Sequence, residues 1–103
     1  MAQFINYPVN KTHIIKVPEI SVLVPVMNEA GNIRPLIDEI CDTFRGRAFE
    51  IIYIDDGSTD DTGSELENSL SQVEELRVLR HKKRSGQSVA IRSGLLASRA
   101  PLI

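Results

Sequence analysis

Two adjacent carboxylates follow an apolar run near the middle of the chain, in the sequence EIIYIDDGSTDDT at residues 50–62. Asp55 and Asp56 come directly after the run at residues 51–54, and Gly57 follows them. Carboxylates accept hydrogen bonds from ring nitrogens and ribose hydroxyls, and they can also hold divalent cations. Gly57 permits a sharp turn behind the acids. The pattern therefore predicts a rigid strand that holds two carboxylates at its tip, where a ligand would sit.

Two further polar segments also follow apolar runs. The residues PVMNE at 25–29 close the run ISVLVPV, which occupies residues 20–26. The residues RHKKRSGQS at 80–88 follow the run LRVL at residues 76–79. Short, nearly continuous apolar runs are typical of strands that are buried on both faces. We therefore predict three strands, at residues 20–26, 49–54 and 76–79, each of which ends in a polar segment.

Helices are predicted between and after these strands. Apolar residues at helical spacing from Ile33 to Phe44 predict the first helix, which begins after Asn28 or nearer Asn32 and stops near Gly46. The second is expected over residues 60–70, and its capping residue is left open among Ser58, Thr59 and Asp60. The third is expected from residues 85–88 to about residue 98, and residues 101–103 look like the start of a fourth strand.

Alternating strands and helices define the expected fold class. They predict an α/β, Rossmann-like parallel sheet with helices on both faces, because parallel strands need right-handed crossovers. Ligands bind such sheets outside the carboxyl ends of the strands, so the three polar segments should converge there. Residues 1–18 have weak patterning and are expected to form an N-terminal arm, with one domain over residues 19–103.

Composition excludes several classes of protein. The 103 residues suffice for one domain, and a net charge of −2 gives no reason to expect a nucleic-acid partner. The single cysteine, Cys41, allows no intrachain disulfide, so we expect a cytoplasmic chain. The sequence has no apolar run near the roughly 18 residues of a membrane span. It also lacks a G-x-G-x-x-G, a G-x-x-x-x-G-K-[ST] and a G-x-S-x-G motif.

Three segments together carry a resemblance to a known family. SVLVPVMNEAGNI, EIIYIDDGSTDDT and SGQSVAIRSG, in this order and at this spacing, resemble the opening of the family 2 glycosyltransferases. They are most similar to the branch that contains polyprenyl-phosphate (dolichol-phosphate) mannosyl- and glucosyltransferases. The resemblance covers residues 19–103, and it implies the N-terminal half of a GT-A fold, which binds a nucleotide-sugar.

The resemblance also implies a set of donor-binding residues. Asp56 matches the acid that contacts the base, and Met27 stands where many members have an aromatic residue, usually Tyr. Met packs against a ring less rigidly, which leaves the choice between a UDP- and a GDP-linked donor open. The matched positions are Pro25, Met27, Asn28, Glu29, Asp55, Asp56, Gly57, Ser58, Gly86 and Gln87.

The metal and acceptor sites of the family are expected beyond Ile103. Its metal-binding D-x-D lies at the tip of the fourth strand, and no D-x-D follows residue 100 here. The resemblance implies Mg²⁺ or Mn²⁺ in the full-length enzyme, and no metal ligand or catalytic residue within this chain. It further implies inverting hexosyl transfer to a polyprenyl phosphate at the cytoplasmic membrane face. We therefore expect an N-terminal piece of a transferase that is inactive by itself.

Other interpretations of the same residues stay open. The acids could be turn residues only, and RHKKR could be a solvated loop or could face a diphosphate or an anionic lipid surface. His13 and His81 show no partner cluster. The chain could be a non-catalytic nucleotide-binding or assembly module, or a fragment that dimerises through an exposed sheet edge. A phosphoacceptor receiver domain would need an Asp on the third strand, and LRVL has none.

Overall fold

The computed structural model describes the backbone of residues 2–4 and the whole of residues 17–103. Strands and helices alternate from the second strand onward, as the apolar periodicity predicts. The elements are β1 (Ala2–Phe4), β2 (Ile20–Val26), α1 (Ile33–Thr43), β3 (Phe49–Asp55), α2 (Thr62–Leu70), β4 (Leu76–His81) and α3 (Gln87–Ala97). Within the described residues, no helix is both long enough and apolar enough to cross a membrane.

The four strands form one sheet in the order β1-β4-β3-β2. β2, β3 and β4 are parallel, which confirms the predicted Rossmann-like sheet, and Val24, Tyr53 and Val78 lie side by side in its centre. β1 instead runs antiparallel to β4, with Ala2 opposite His81. Residues 2–4 were expected to belong to an N-terminal arm, but they form a strand of the sheet. The sequence does not indicate this strand, because backbone hydrogen bonds between strands require no particular pattern of side chains. The rest of that arm up to residue 16 lies outside the described residues.

Several predicted boundaries change in the structure. α1 begins after Asn32, the later of its two expected starts, so Asn28 does not cap it. α2 begins after Asp61, so none of the three expected capping residues lies at its N-cap position. β4 continues two residues beyond its predicted end, to His81. The segment RHKKR is therefore not all loop, and only its last three residues follow the strand.

Helices cover both faces of the sheet, as predicted. Successive residues of β3 point to opposite faces. Ile51 and Tyr53 pack with Ile33 and Ile37 of α1 and with Leu66 of α2. Ile52 and Ile54 lie on the other face, where they pack with Leu79 and with Ala90 of α3. A Cβ on Gly94 would come within 2.8 Å of Cδ1 of Ile54, so the glycine lets α3 lie close to the sheet.

A buried carboxylate ties the far end of α3 to the amino end of the sheet. Glu50 is 2% exposed, and it accepts hydrogen bonds from Ser21 Oγ at 2.5 Å, from Arg99 N at 2.7 Å and from Arg77 Nη1 at 2.8 Å. Leu102 then forms an isolated parallel bridge with Ile20. The expected start of a fourth strand is therefore present as a single bridge beside β2.

Candidate functional site

Asp55 and Asp56 are adjacent in sequence but point to opposite faces of the sheet. Asp55 ends β3 on the face that α2 covers, where a Cβ on Gly63 of α2 would lie 3.6 Å from Asp55 Oδ2. Asp56 lies on the face of α3, where its carboxylate contacts His81 and the residues that open that helix. Both side chains are nearly buried, with 1% and 5% of the residue exposed. The two carboxylates therefore lie in two different environments, one on each face of the sheet.

On the α2 face, Asp55 meets a guanidinium from the next strand. Its Oδ1 accepts a hydrogen bond from Ser58 N at 3.0 Å, and its Oδ2 lies 3.5 Å from Nε of Arg80. Arg80 also approaches Oε1 of Glu67 at 3.7 Å. A Cβ on Gly63 would lie 2.6 Å from Arg80 Nη2, so the glycine makes room for the guanidinium. Arg80 thus presents donors beside the acceptor oxygens of Asp55.

A small polar pocket opens beside this ion pair. Its volume is about 240 Å³. It is lined by Asp55, Ser58, Asp60, Gly63, Ser64, Glu67 and Arg80. The pocket is smaller than the roughly 300–1,000 Å³ that usually holds a whole small ligand, so it can enclose only part of one.

On the α3 face, Asp56 is held by three donors. Oδ1 accepts from His81 Nδ1 at 2.7 Å and from Ser85 N at 2.8 Å, and Oδ2 accepts from Gly86 N at 2.8 Å. Burial alone would raise the pKa of Asp56, but these hydrogen bonds outweigh it and hold the pKa below its ordinary value. Asp56 is therefore an ionised acceptor that fixes the loop in front of α3.

His81 has partners, which corrects the expectation that it lacks a cluster. The side chain is 1% exposed, and its Nε2 lies 2.9 Å from Oγ of Ser93 in α3. The other basic residues divide by position. Arg80 belongs to β4 and pairs with Asp55, whereas Lys82, Lys83 and Arg84 are exposed in the loop. The description of RHKKR as a solvated loop thus holds only for those last three residues.

The loop between β2 and α1 is fastened to the segment between β3 and α2. Asn28 N donates to Ser58 Oγ at 2.9 Å, and Asn28 Oδ1 accepts from Thr59 N at 2.8 Å. Glu29 N donates to Thr62 Oγ1 at 2.9 Å. Asn28 adopts the left-handed conformation, with φ of +56°, which Asn tolerates better than most residues. These reciprocal bonds hold two loops of the carboxyl edge in one arrangement.

Gly57 brings the third loop into contact with the segment between β3 and α2. Its φ is +76°, and a Cβ at this position would lie 2.6 Å from Arg84 N and 3.0 Å from Lys83 C. Only glycine allows this approach of two backbones without a displacement. Together with the bonds of Asp56 to Ser85 and Gly86, this contact joins all three predicted loops at one edge.

Most of the predicted site residues are brought together at that edge. Pro25 is an exception, because it belongs to β2 and lies beside Ile54 in the sheet. It also lines a separate apolar groove of about 550 Å³ along the edge of the sheet. Met27 is half-buried in the first loop, and Gln87 is exposed as the first residue of α3.

Sequence reasoning missed Arg80, His81 and Ser93. The alternation of β3 and the parallel register, in which Asp55 lies beside Arg80, could have placed the first of these.

The described part of the chain supplies no evident metal site. It contains no group of three or more His, Cys, Asp or Glu side chains arranged to hold an ion. Asp55 and Asp56 face apart, and their oxygens already accept hydrogen bonds from the protein. These two carboxylates therefore do not fit a divalent cation.

The fold and the arrangement of loops define the class of protein. The Rossmann-like sheet, with polar loops at the carboxyl ends of its strands, is of the GT-A type, because it matches the fold of a solved GT-A mannosyltransferase. The chain belongs to the glycosyl transferase family 2, because the model of that family matches residues 21–103. The alternative of a phosphoacceptor receiver domain is therefore wrong.

Similar proteins include several sugar transferases. A dolichyl-phosphate β-glucosyltransferase of Trichomonas vaginalis is 34% identical over 79% of this chain and 26% of its own length. A dolichol-phosphate mannosyltransferase of Pyrococcus furiosus is 33% identical over 74% of this chain and 21% of its own. A mannosyltransferase of Pyrobaculum calidifontis, solved in complex with GDP-Man and Mn²⁺, is 27% identical. It matches with a TM-score of 0.62 over 81% of this chain and 25% of its own. The chain thus spans about a quarter of the length of these proteins.

Proposed function

We propose that this chain is the donor-binding part of a glycosyltransferase and binds a nucleoside-diphosphate sugar at the carboxyl edge of its sheet. The observation that carries the proposal is the joining of the three loops around Asn28, Gly57 and Gly86 at that edge. A preorganised site loses less entropy on binding than loops that must first be ordered. The similar structure that was solved with GDP-Man and Mn²⁺ supports this choice of ligand.

Each face of the edge has its own part in donor binding. Asp56 Oδ2 accepts one hydrogen bond from Gly86 and retains a second acceptor direction, which serves a base N–H. Met27 packs against the ring, as thioethers do. On the other face, Asp55 and Arg80 offer an acceptor and a donor together in the polar pocket. Asn28, Glu29, Gly57 and Ser58 hold the loops, and Gln87 faces the ligand from the start of α3.

The whole enzyme would transfer a hexose with inversion. In this reaction an oxygen of the acceptor attacks the anomeric carbon, the bond to the diphosphate breaks, and the nucleoside diphosphate leaves. The acceptor would be a polyprenyl phosphate, whose anionic oxygen needs no strong protein base. The dolichyl- and dolichol-phosphate transferases among its relatives support this acceptor class. Such an acceptor would place the enzyme at the cytoplasmic face of a membrane.

A divalent cation, Mg²⁺ or Mn²⁺, would act in the full-length enzyme by offsetting the charge of the departing diphosphate. The Mn²⁺ in the similar mannosyltransferase structure supports this assignment. Because the described residues contain no metal cluster, the 103-residue chain alone would bind the donor without transferring the sugar. Residues 19–103 would form the donor-binding unit. The edge of β2 beyond its bridge to Leu102 would pair with a second copy of the chain.

Calorimetric titration with UDP, GDP and their sugar conjugates, each with and without Mn²⁺, tests the proposal. We expect one of the two diphosphates to bind, with little change on adding Mn²⁺. Asp56→Ala should abolish the binding, because the substitution removes the acceptor and releases the loop. Asp38→Ala is the matched control, because Asp38 lies exposed on α1. If circular dichroism shows a folded chain and no diphosphate binds, the proposal is wrong.

A non-catalytic nucleotide-binding module is the second candidate. The absence of a metal cluster within residues 2–4 and 17–103 favours it. Such a module would bind the same diphosphate, but a longer chain, extended to the length of the related transferases, would transfer no sugar to polyprenyl phosphate. Transfer by that longer chain would exclude this candidate.

A further inference from the structure

A buried line of three side chains connects the tip of β3 to the middle of α3. His81 Nδ1 lies 2.7 Å from Asp56 Oδ1, and His81 Nε2 lies 2.9 Å from Ser93 Oγ. His81 is 1% exposed, and Asp56 is 5% exposed. A group this deep in the protein keeps its partners because an unpaired one would cost free energy. The line is therefore a fixed part of the fold and not a chance surface contact.

The order Asp–His–Ser matches that of hydrolytic triads, but Ser93 is not placed to act as a nucleophile. It lies in the middle of α3, Gln87–Ala97, where backbone N–H groups are used within the helix. An oxyanion hole needs free donors beside the attacking oxygen, and the interior of a helix supplies none. The line must therefore act by holding groups in place.

The proton on the His81 ring is located by its partner. Hydrogen bonds hold the pKa of Asp56 below its ordinary value despite burial, so its carboxylate is ionised near neutral pH and can only accept. The short contact at Oδ1 therefore requires a proton on Nδ1 of His81. In the neutral ring, Nε2 then accepts from the Ser93 hydroxyl. Ser93 thereby fixes the plane of the ring.

The two carboxylate oxygens of Asp56 are consequently not equivalent. Oδ1 accepts from both His81 Nδ1 and Ser85 N, which fills its two acceptor directions. Among the residues that the structure describes, Oδ2 accepts from Gly86 N alone, so one direction is left for a ligand. Without the donor of His81, each oxygen would keep one amide donor and one open direction, so Oδ2 would no longer be distinguished as the oxygen that is open to a ligand.

We propose that His81 is a positioning residue of the donor site: it holds Oδ1 of Asp56, so that Oδ2 stays directed at the bound base. This inference rests on the proposed donor binding at the same edge. Ser93 extends the effect to α3, so that the base acceptor, the loop at Ser85 and Gly86, and the helix keep one mutual arrangement.

A matched pair of substitutions separates this role from simple packing. In His81→Asn the side-chain nitrogen is attached at Cγ, like Nδ1, and it can still donate to Asp56. In His81→Gln the nitrogen lies one atom further out, like Nε2, and it reaches Ser93 instead. Each variant keeps one of the two hydrogen bonds. We expect His81→Asn to bind the diphosphate within about threefold of the parent, and His81→Gln to bind it about tenfold more weakly.

Nuclear magnetic resonance supplies a second measurement that needs no nucleotide. The ring nitrogens of His81 should show a proton on Nδ1, and the Ser85 and Gly86 amides should exchange with solvent faster in His81→Gln than in His81→Asn. If the parent binds no diphosphate, the proposed function fails, and these signals alone decide the positioning role. Equal affinity of both variants, equal exchange in both, or a neutral ring protonated only on Nε2 would overturn the inference.

Discussion

At the scale of single residues, Tyr53 has a buried hydroxyl that forms no hydrogen bond within the part of the chain that the structure describes. The side chain lies in the centre of the sheet with no exposed surface. Burial raises the pKa of Tyr53 to about 12, since the ionised form would be worse still. The hydroxyl is therefore a cost that the packing of the ring offsets.

Replacing Tyr53 with Phe should leave the free energy of unfolding unchanged within about 0.5 kcal/mol, or increase it, because an unpaired buried hydroxyl is removed. Ser21→Ala removes a buried hydroxyl that does have partners, Glu50 and the amide of Ala100. That control should cost about 1–3 kcal/mol. Urea unfolding of both variants makes the comparison, and an equal loss in the two would show that the Tyr53 hydroxyl is paired.

Gly57 is a second residue whose replacement has a specific expected cost. Any side chain at its φ of +76° is strained by about 1–2 kcal/mol, and a Cβ there would also press on the backbone of Arg84. Gly46 has a φ of +85° but open space around it, so Gly46→Ala should show the strain alone. We expect Gly57→Ala to lower the urea midpoint clearly more than Gly46→Ala. Equal midpoints would mean that the two loops do not touch.

At the scale of secondary-structure elements, Glu50 anchors the end of α3 and makes the fold sensitive to acid. Burial alone would raise the pKa of Glu50, but hydrogen bonds from Ser21, Arg99 N and Arg77 hold it below its ordinary value. The unfolded chain therefore binds more protons at acidic pH, and stability rises with pH there. The contribution is complete above the ordinary pKa of about 4.3 and is lost as the pH falls through the folded value.

The free energy of unfolding should accordingly fall between about pH 5 and pH 2. Glu50→Gln should be less stable at neutral pH, but its stability should depend less steeply on pH over that interval. Urea unfolding at a series of pH values measures both slopes. The same slope in the parent and in Glu50→Gln would show that Glu50 titrates alike in the folded and unfolded chain, which contradicts the buried network.

The elements differ in how far their sequence predicts them. β3 is buried on both faces, and the edge strand β2 is at least half-buried along its length, so both strands have nearly continuous apolar runs that can be recognised in the sequence. The predicted β4 ends two residues too early because Arg80 and His81 are polar. Both residues nevertheless belong to the strand, because their side chains form an ion pair and a hydrogen bond instead of apolar contacts. β1 joins the sheet by backbone pairing with β4, which three residues of sequence cannot indicate.

The edge at which the three loops meet could be predicted from the sequence, but the contacts between their side chains could not. The convergence of three loops follows from parallel strands. The separation of Asp55 from Asp56 follows from strand alternation, although adjacency in sequence suggests a pair. The contact of His81 with Ser93, by contrast, depends on how close α3 lies to the sheet, and this close approach is possible because residue 94 is glycine.

At the scale of the whole molecule, charge is segregated along the chain. All 14 acidic residues lie within residues 19–75, and only Arg and Lys follow, from Arg77 to Arg99. Lys82, Lys83 and Arg84 are exposed beside the Gly57 turn. Exposed cations next to an acidic edge suit a ligand that has a neutral base at one end and a diphosphate at the other.

Neutralising these three residues together, as Lys82→Gln, Lys83→Gln and Arg84→Gln, should weaken binding of the diphosphate by up to about tenfold. Binding of the corresponding nucleoside, which lacks phosphates, should not change. Arg45→Gln with Arg47→Gln is the control, since both cations lie after α1 at the opposite end of the sheet. An equal loss for nucleoside and diphosphate would argue against a phosphate contact.

The most direct test of the donor site is to map the bound nucleotide by nuclear magnetic resonance. Amide signals of the ¹⁵N-labelled chain would be followed while UDP or GDP is added. We expect the shifted signals to lie in residues 27–31, 55–62 and 84–88, and the signals at the amino end of the sheet around Glu50 to stay unchanged. Shifts confined to the apolar groove along β2, or no shifts in a folded chain, would contradict it.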